Sequence, residues 1–326
     1  MSPSEARDAL ASPPWVRRGL RALGRPWVRR AVGWGVVLLI AFFWGRSLAA
    51  NWSQVRALPW RVDPLPLLAS FPLLLLHLAF LAGIWALSLR YLGERIAWGQ
   101  AVRVWLLTQI ARYLPGGTWD ALARMAVGSR EGMRLLQGGV SVALEMATQT
   151  VAAVAVFLLS LLFWPGGPAL RQYGVLAALV PLGLLALYPP VVERAVNAAL
   201  HLAGRPPVRL GLRYGQVLAL FGLHLAARVL VGVAFFCFAR ALYPFPWEAL
   251  PALVGTFAGA WAVGFVVFFV PLGLGVREGV MTALLGTLCP LSVASAIAVG
   301  FRLWIALRDL AAAAGAALAG RKGRSR

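Results

Sequence analysis

The chain has 326 residues, 60% of them hydrophobic and 13% charged, with 31 Lys and Arg against 11 Asp and Glu and a formal net charge of +20. The apolar residues come in long runs rather than amphipathic stripes, which excludes a soluble globular protein. The basic residues fall between those runs, where the positive-inside rule puts them, and this excludes nucleic acid as the partner that the charge would otherwise indicate.

Residues 1–30 carry seven arginines against Glu5 and Asp8 and are expected to be a basic cytoplasmic segment. An apolar run, 31–45, lies between Arg30 and Arg46 and spans if those arginines snorkel to the interfaces. Ser47-Leu-Ala-Ala50 has the small residues of a cleavage site, but the arginine-rich leader is long for a secretory signal, so a retained first span is expected. Uncharged runs follow at 64–89, 146–170, 172–192, 249–276 and 279–301, and about 20 such residues cross a hydrocarbon core of roughly 30 Å.

Three basic stretches orient the crossings: residues 1–30, the loop around 193–213 with Arg194, Arg205, Arg209 and Arg213, and the tail 321–326. A helical pattern from Val192 to Leu202 suits the membrane interface. If the first span leaves the cytoplasm and the second (about 65–89) returns, then 95–134 begins and ends on the basic side and must be re-entrant. Spans at about 138–164, 173–192 and 214–242 follow, and a last one at about 291–319 reaches a cytoplasmic tail if 249–289 dips in from outside.

The expected fold is therefore an all-α integral membrane protein of about six full spans plus two re-entrant helical hairpins. The hairpins form an inverted-topology repeat, about 65–164 against about 214–319, within one membrane domain over 31–320. The alternative is that 249–276 crosses fully.

The hairpin tips would be Arg112-Tyr-Leu-Pro-Gly-Gly-Thr-Trp-Asp120 and Val270-Pro-Leu-Gly-Leu-Gly-Val-Arg-Glu-Gly279, broken by Pro115, Gly116 and Gly117 and by Pro271, Gly273 and Gly275. Such breaks at bilayer depth must line a wet cavity or lie buried in protein. Ionised groups at that depth need partners or water. Glu145, Arg228 and Arg302 sit inside three spans and are expected to share one cavity, while Arg112, Arg124, Arg277 and Glu278 belong to the tips or their exits. Half-helix amino termini beside arginines favour phosphate, so Arg112, Arg124, Arg228, Arg277 and Arg302 are the candidate lipid-phosphate ligands. Glu145 and Glu278 would balance charge or meet a headgroup. The structural alternative is internal ion pairing, Glu145 with Arg124 or Arg302.

Cys237 and Cys289 lie in apolar runs without CxxC spacing, and His77, His201 and His224 lack ligand spacing and read as packing or interfacial residues. Gly255-x-x-x-Gly259 reads as a close helix contact, and Gly273-x-Gly-x-x-x-Gly279 departs from the dinucleotide fingerprint. No metal or cofactor is expected. Asp309 beside Arg308 is open between local pairing and snorkelling.

Arg112-Tyr-Leu-Pro-Gly-Gly-Thr-Trp119, the Glu145 span and Pro271-Leu-Gly-Leu-Gly-Val-Arg-Glu-Gly279 together resemble the lysylphosphatidylglycerol synthase transmembrane-region family, the flippase-like domain of multiple-peptide-resistance-factor proteins. The resemblance covers about 30–320. It implies movement of a phospholipid or other phosphate-linked lipid between leaflets; the plasma (inner) membrane is the expected location, and the basic terminal segments put both chain termini in the cytoplasm. No aminoacyl-transferase module follows, so a stand-alone member that is not an enzyme is expected. The rival readings are a non-transporting membrane partner of an envelope-biosynthesis enzyme and a lipid-modifying transferase.

Overall fold

A computed structural model describes residues 62–113, 119–164, 178–202, 204–266 and 276–322, all within the compact unit Asn51–Arg326; the side chains of 317–322 lie outside the description. The first span, the basic amino-terminal segment and the tip residues Pro115, Gly116, Gly117, Pro271, Gly273 and Gly275 lie outside the described residues. Every regular element described is helical.

In chain order the helices are α1 (Pro64–Tyr91), α2 (Trp98–Thr108) continued by a 3₁₀ turn (Gln109–Tyr113), α3 (Trp119–Arg130), α4 (Leu135–Ser160), α5 (Leu179–Ala186), α6 (Pro189–Leu202), α7 (Tyr214–Leu242), α8 (Leu250–Val266), α9 (Val276–Leu285) and α10 (Leu291–Lys322).

The boundaries follow from local chemistry. Asp63 caps α1, its carboxylate accepting from the Leu65 amide at 3.1 Å ahead of a proline in the first turn. The Gln216 side chain reaches back to the Arg213 amide at 2.9 Å to begin α7. Tyr243 is extended, and Pro244 and Pro246 prevent α7 from continuing.

Five stretches are long and apolar enough to cross a membrane: Pro64–Tyr91, Leu135–Phe163, Tyr214–Leu242, Trp247–Phe265 and Leu291–Ala316. Counting α5 and α6 as one broken span gives up to six. Leu65, Leu68, Leu162 and Phe163 are each more than 60% exposed, as suits lipid-facing positions on such helices.

One expectation needs correction. The span at about 173–192 is not one straight helix over its described part: α5 stops at Ala186 and α6 leaves at 61°. Pro189-Pro190 causes this, since neither residue can donate to the preceding turn, whereas both suit the first turn of a new helix; α6 accordingly starts at 189, not 192. Of the uncharged run 249–276, α8 covers Leu250–Val266, and residues 267–275 lie outside the described residues. The α8 stretch is nevertheless long and apolar enough to cross by itself.

Helix α7 lies at the centre, packed on α1, α4, α8 and α10. Phe235 of α7, Phe257 of α8 and Phe301 of α10 interlock with ring centroids 4.8–5.8 Å apart. A second core joins Leu78, Ala82 and Trp85 of α1 to Val104 and Trp105 of α2. Glycines set the closest approaches. A Cβ on Gly255 would overlap the Ser160 side chain and one on Gly259 would lie 2.7 Å from the Phe157 ring, so the two glycines let α8 approach α4.

Along α7 the glycines separate into two kinds. A Cβ on Gly232 would lie 2.9 Å from the Val254 Cα on α8, whereas one on Gly222 meets nothing within 4 Å. Thermal unfolding in detergent is expected to show Gly232→Ala destabilising by about 1–3 kcal/mol through overpacking. Gly222→Ala is expected to stabilise by about 0.5–1 kcal/mol through helix propensity.

Candidate functional site

Two pairs of short helices, α2 with α3 and α8 with α9, are packed each upon itself and against α10 and α4 respectively. The polar side chains that apolar helices would otherwise leave stranded gather around these pairs.

Arg124 lies near the middle of α3 and forms an ion pair with Glu145 of α4; both residues are under 9% exposed. The Arg124 guanidinium sits 5.3 Å from the ring centroids of both Trp85 and Trp105. The aromatic faces thus hold the cation on two sides while the carboxylate meets it on another. Glu145 Oε1 also accepts from Trp105 Nε1 at 3.3 Å and from Gln149 Nε2 at 3.0 Å. Gln149 is one turn beyond Glu145, so the helix places both on one face. Its other amide atom, Oε1, accepts from Arg228 Nη2 of α7 at 2.9 Å. One helical position earlier, Thr148 meets Nδ1 of the buried His224 at 3.0 Å.

Arg228, 5% exposed, lies with its guanidinium 3.7 Å from the centroid of Trp261 on α8. Arg277, in the first turn of α9, approaches the same ring at 5.9 Å. Gly264 makes room for it, since a Cβ there would sit 3.3 Å from Arg277 Cβ and Nε. A continuous series of contacts thus runs Arg124, Glu145, Gln149, Arg228, Trp261, Arg277, from the first helix pair to the second.

Arg112, on the 3₁₀ turn, stands 3.7 Å from Asp309 of α10 and 3.9 Å from Asp120 of α3, beyond hydrogen-bond reach of either. Asp309 is wholly buried, accepting from Tyr113 Oη at 2.8 Å and from Arg308 Nε and Nη2 at 2.9 and 2.6 Å. Arg308 Nη1 in turn donates to His77 Nδ1 of α1 at 3.3 Å. Asp309 pairs locally, which resolves the alternatives left open for it. Arg302 of α10 forms an ion pair with Glu278 of α9 rather than with Glu145.

These contacts leave an excess of cation: six arginines (112, 124, 228, 277, 302 and 308) face four carboxylates (Asp120, Glu145, Glu278 and Asp309). Among the described residues, Arg228 and Arg277 have no carboxylate within 4 Å. Arg228 and Arg277 nonetheless approach the same Trp261 ring. Like charges drawn together in a medium of low dielectric raise the free energy unless an anion joins them. A guanidinium without a carboxylate partner pairs well with the oxygens of an anion. Among the described residues, no group of three His, Cys, Asp or Glu could hold a metal ion.

Of the residues expected from sequence, Arg124, Glu145, Arg228 and Arg277 fall on one contact path, Arg112 lies within Coulombic reach of it, and Arg302 and Glu278 pair with each other. Sequence reasoning did not find Trp85, Trp105, Trp261, Tyr113, Arg308, Asp309 and His77 as parts of the network. An ionisable pair inside a long apolar run is the signal that marks Arg308 and Asp309.

Breaking a buried ion pair costs more than removing it. Arg124→Met alone is expected to destabilise by about 3–5 kcal/mol, because Glu145 is left charged and unpaired, and Arg124→Met with Glu145→Met is expected to recover most of that loss. Unfolding midpoints of the two singles and the double, compared in detergent, check the coupling.

No curated protein matches the chain over its length. The family model described as "Lysylphosphatidylglycerol synthase TM region" matches residues 27–308, from before the first described helix to Arg308 in α10. That interval contains both helix pairs and every residue of the Arg124-to-Arg277 path. With five to six candidate spans and this match over most of its length, the chain is a multi-pass membrane protein that belongs to the lysylphosphatidylglycerol synthase TM region family.

Proposed function

We propose that the protein moves a phospholipid, or another phosphate-linked lipid such as a glycolipid or polyprenyl phosphate, between membrane leaflets. The headgroup would cross through a polar path between the two helix pairs while the acyl chains stay in the bilayer. The observation that carries this reading is that Arg228 and Arg277 meet at one Trp261 ring with no carboxylate within 4 Å of either among the described residues, while Arg112 stands beyond hydrogen-bond reach of Asp120 and Asp309.

In this reading the two helix pairs are re-entrant hairpins entering from opposite faces, related as an inverted repeat, with both chain termini cytoplasmic in the plasma (inner) membrane. Two features support it. The order long helix, two short helices, long helix occurs twice, α1 to α4 and α7 to α10, with sequential neighbours packed in both. Each unit also ties its second short helix to the long helix after it by an ion pair, with the signs exchanged: Arg124 to Glu145 in the first, Glu278 to Arg302 in the second. Glu145 is the eleventh residue of α4 and Arg302 the twelfth of α10. The α8 stretch, 61% buried against 33% for α1, has the enclosure that a hairpin arm needs.

Within that frame, Asp309 and Asp120 hold Arg112 at a distance that neither satisfies. A phosphate oxygen at hydrogen-bond distance would displace them. Arg228 and Arg277 would receive the remaining oxygens, with Trp261 as the apolar floor beneath both cations. Arg124 and Glu145, already paired, would position Gln149 and through it Arg228.

Purified protein in vesicles, with leaflet exchange of labelled phospholipid followed by chemical quenching, tests the proposal. Replacing Arg112, Arg228 and Arg277 together by Gln should reduce exchange by at least about ten-fold, since charge-assisted hydrogen bonds contribute about 1.5–3 kcal/mol each. Unfolding midpoints in detergent, measured on the same preparations, separate loss of the site from loss of the fold. Undiminished exchange in the triple variant would contradict the assignment.

A further inference from the structure

Helix α6 and the segment that follows it carry charges and apolar surface that the network between the helix pairs does not use. Val191, Ala195, Ala198 and Leu202 recur at helical spacing and are all exposed, Leu202 to 89%. Beside this stripe, Glu193 and Asn197 point to the returning chain. Asn197 Nδ2 donates to the Val208 carbonyl at 3.0 Å, its Oδ1 accepts from the Val208 amide at 2.8 Å, and Glu193 Oε2 accepts from the Leu210 amide at 3.0 Å. Gly204 and Gly211 supply the positive φ angles, +66° and +65°, at which the segment turns.

The segment is thus fastened to the helix, and Glu193 is occupied by a backbone amide. Arg194, Arg205, Arg209 and Arg213 are all exposed, and none is in an ion pair among the described residues. The unit is fixed to the rest of the protein through α5: Gly183 lies so close to Val151 of α4 that a Cβ would fall 2.7 Å from its side chain. Tyr214 of α7 donates to the Leu184 carbonyl at 3.2 Å and stands edge-on to Tyr188 at 5.3 Å.

An exposed apolar stripe beside four unpaired arginines, joined to helices long enough to cross a membrane, complements an anionic lipid surface in both respects. We propose that α6 with residues 204–213 is a shelf that binds the anionic headgroups of the adjoining leaflet. The apolar stripe would rest at the acyl boundary and the four arginines on lipid phosphates. This role does not depend on lipid translocation, and its residues are distinct from Arg112, Arg228 and Arg277.

The test uses the full chain in neutral detergent with Cys237→Ala, Cys289→Ala and Leu202→Cys, labelled at 202 with an environment-sensitive fluorophore. It is titrated with phosphatidylserine, with phosphatidylcholine and with inorganic phosphate. The emission shift should saturate at about ten-fold or more lower phosphatidylserine than phosphatidylcholine, since exposed basic residues near an anionic surface favour it electrostatically. The preference should vanish in about 1 M salt, where the Debye length is roughly 3 Å. It should vanish too in R194Q/R205Q/R209Q/R213Q, and the salt arm decides without that variant if it does not fold. Equal response to the two lipids would overturn the proposal. A shift produced by inorganic phosphate alone would also overturn it, pointing to a site for soluble anions.

Discussion

A charge inside an apolar helix bundle must find a partner, and the Arg124 to Glu145 ion pair is the contact on which the polar interior of this protein depends. Neither residue is tolerable alone where each is under 9% exposed. Together, with Trp85 and Trp105 flanking the guanidinium and Trp105 donating to the carboxylate, they bind α3 to α4, and Glu145 Oε1 accepts from Gln149 as well and so orients it. Gln149 then carries the arrangement to Arg228 on the central helix, and Trp261 carries it on to Arg277. The alternative of internal pairing is realised for Arg124 with Glu145 and for Arg302 with Glu278. Arg228 and Arg277 have no carboxylate within 4 Å among the described residues.

Asp309 plays the matching part at the other end. Its oxygens collect Tyr113 and Arg308, and Arg308 reaches His77, so α10 is joined at one buried point to the 3₁₀ turn and to α1. Arg112 stands beside this point without closing on it. The first helix pair is therefore held to the last helix through groups that an incoming anion could compete for, and to α4 through groups that it could not.

Much of this was legible in the sequence. The expected spans at about 65–89, 138–164, 214–242 and 291–319 fall within a few residues of α1, α4, α7 and α10, because long, largely apolar stretches leave little freedom in where a spanning helix begins and ends. Glu145 and Gln149 could be placed on one helix face from spacing alone. Pro189-Pro190 announced a break, but its consequence was missed because an uncharged run reads as continuous whatever its backbone does. The tryptophans were invisible as site residues, since Trp85, Trp105 and Trp261 in apolar runs look like ordinary core; only the fold shows a cation over their faces. Asp309 was undecidable from sequence because its neighbour Arg308 offers a local partner, while Tyr113, 196 positions away, gives no sign that it will arrive there.

The central claim is that Arg112, Arg228 and Arg277 share one lipid phosphate. A density map of the protein in a lipid nanodisc, at a resolution that separates headgroup from side chain, tests it most directly. The account predicts a phosphate within hydrogen-bond distance of at least two of these three guanidinium groups, above the Trp261 ring. A headgroup bound elsewhere, with a protein carboxylate closing the space between the three arginines, would contradict it.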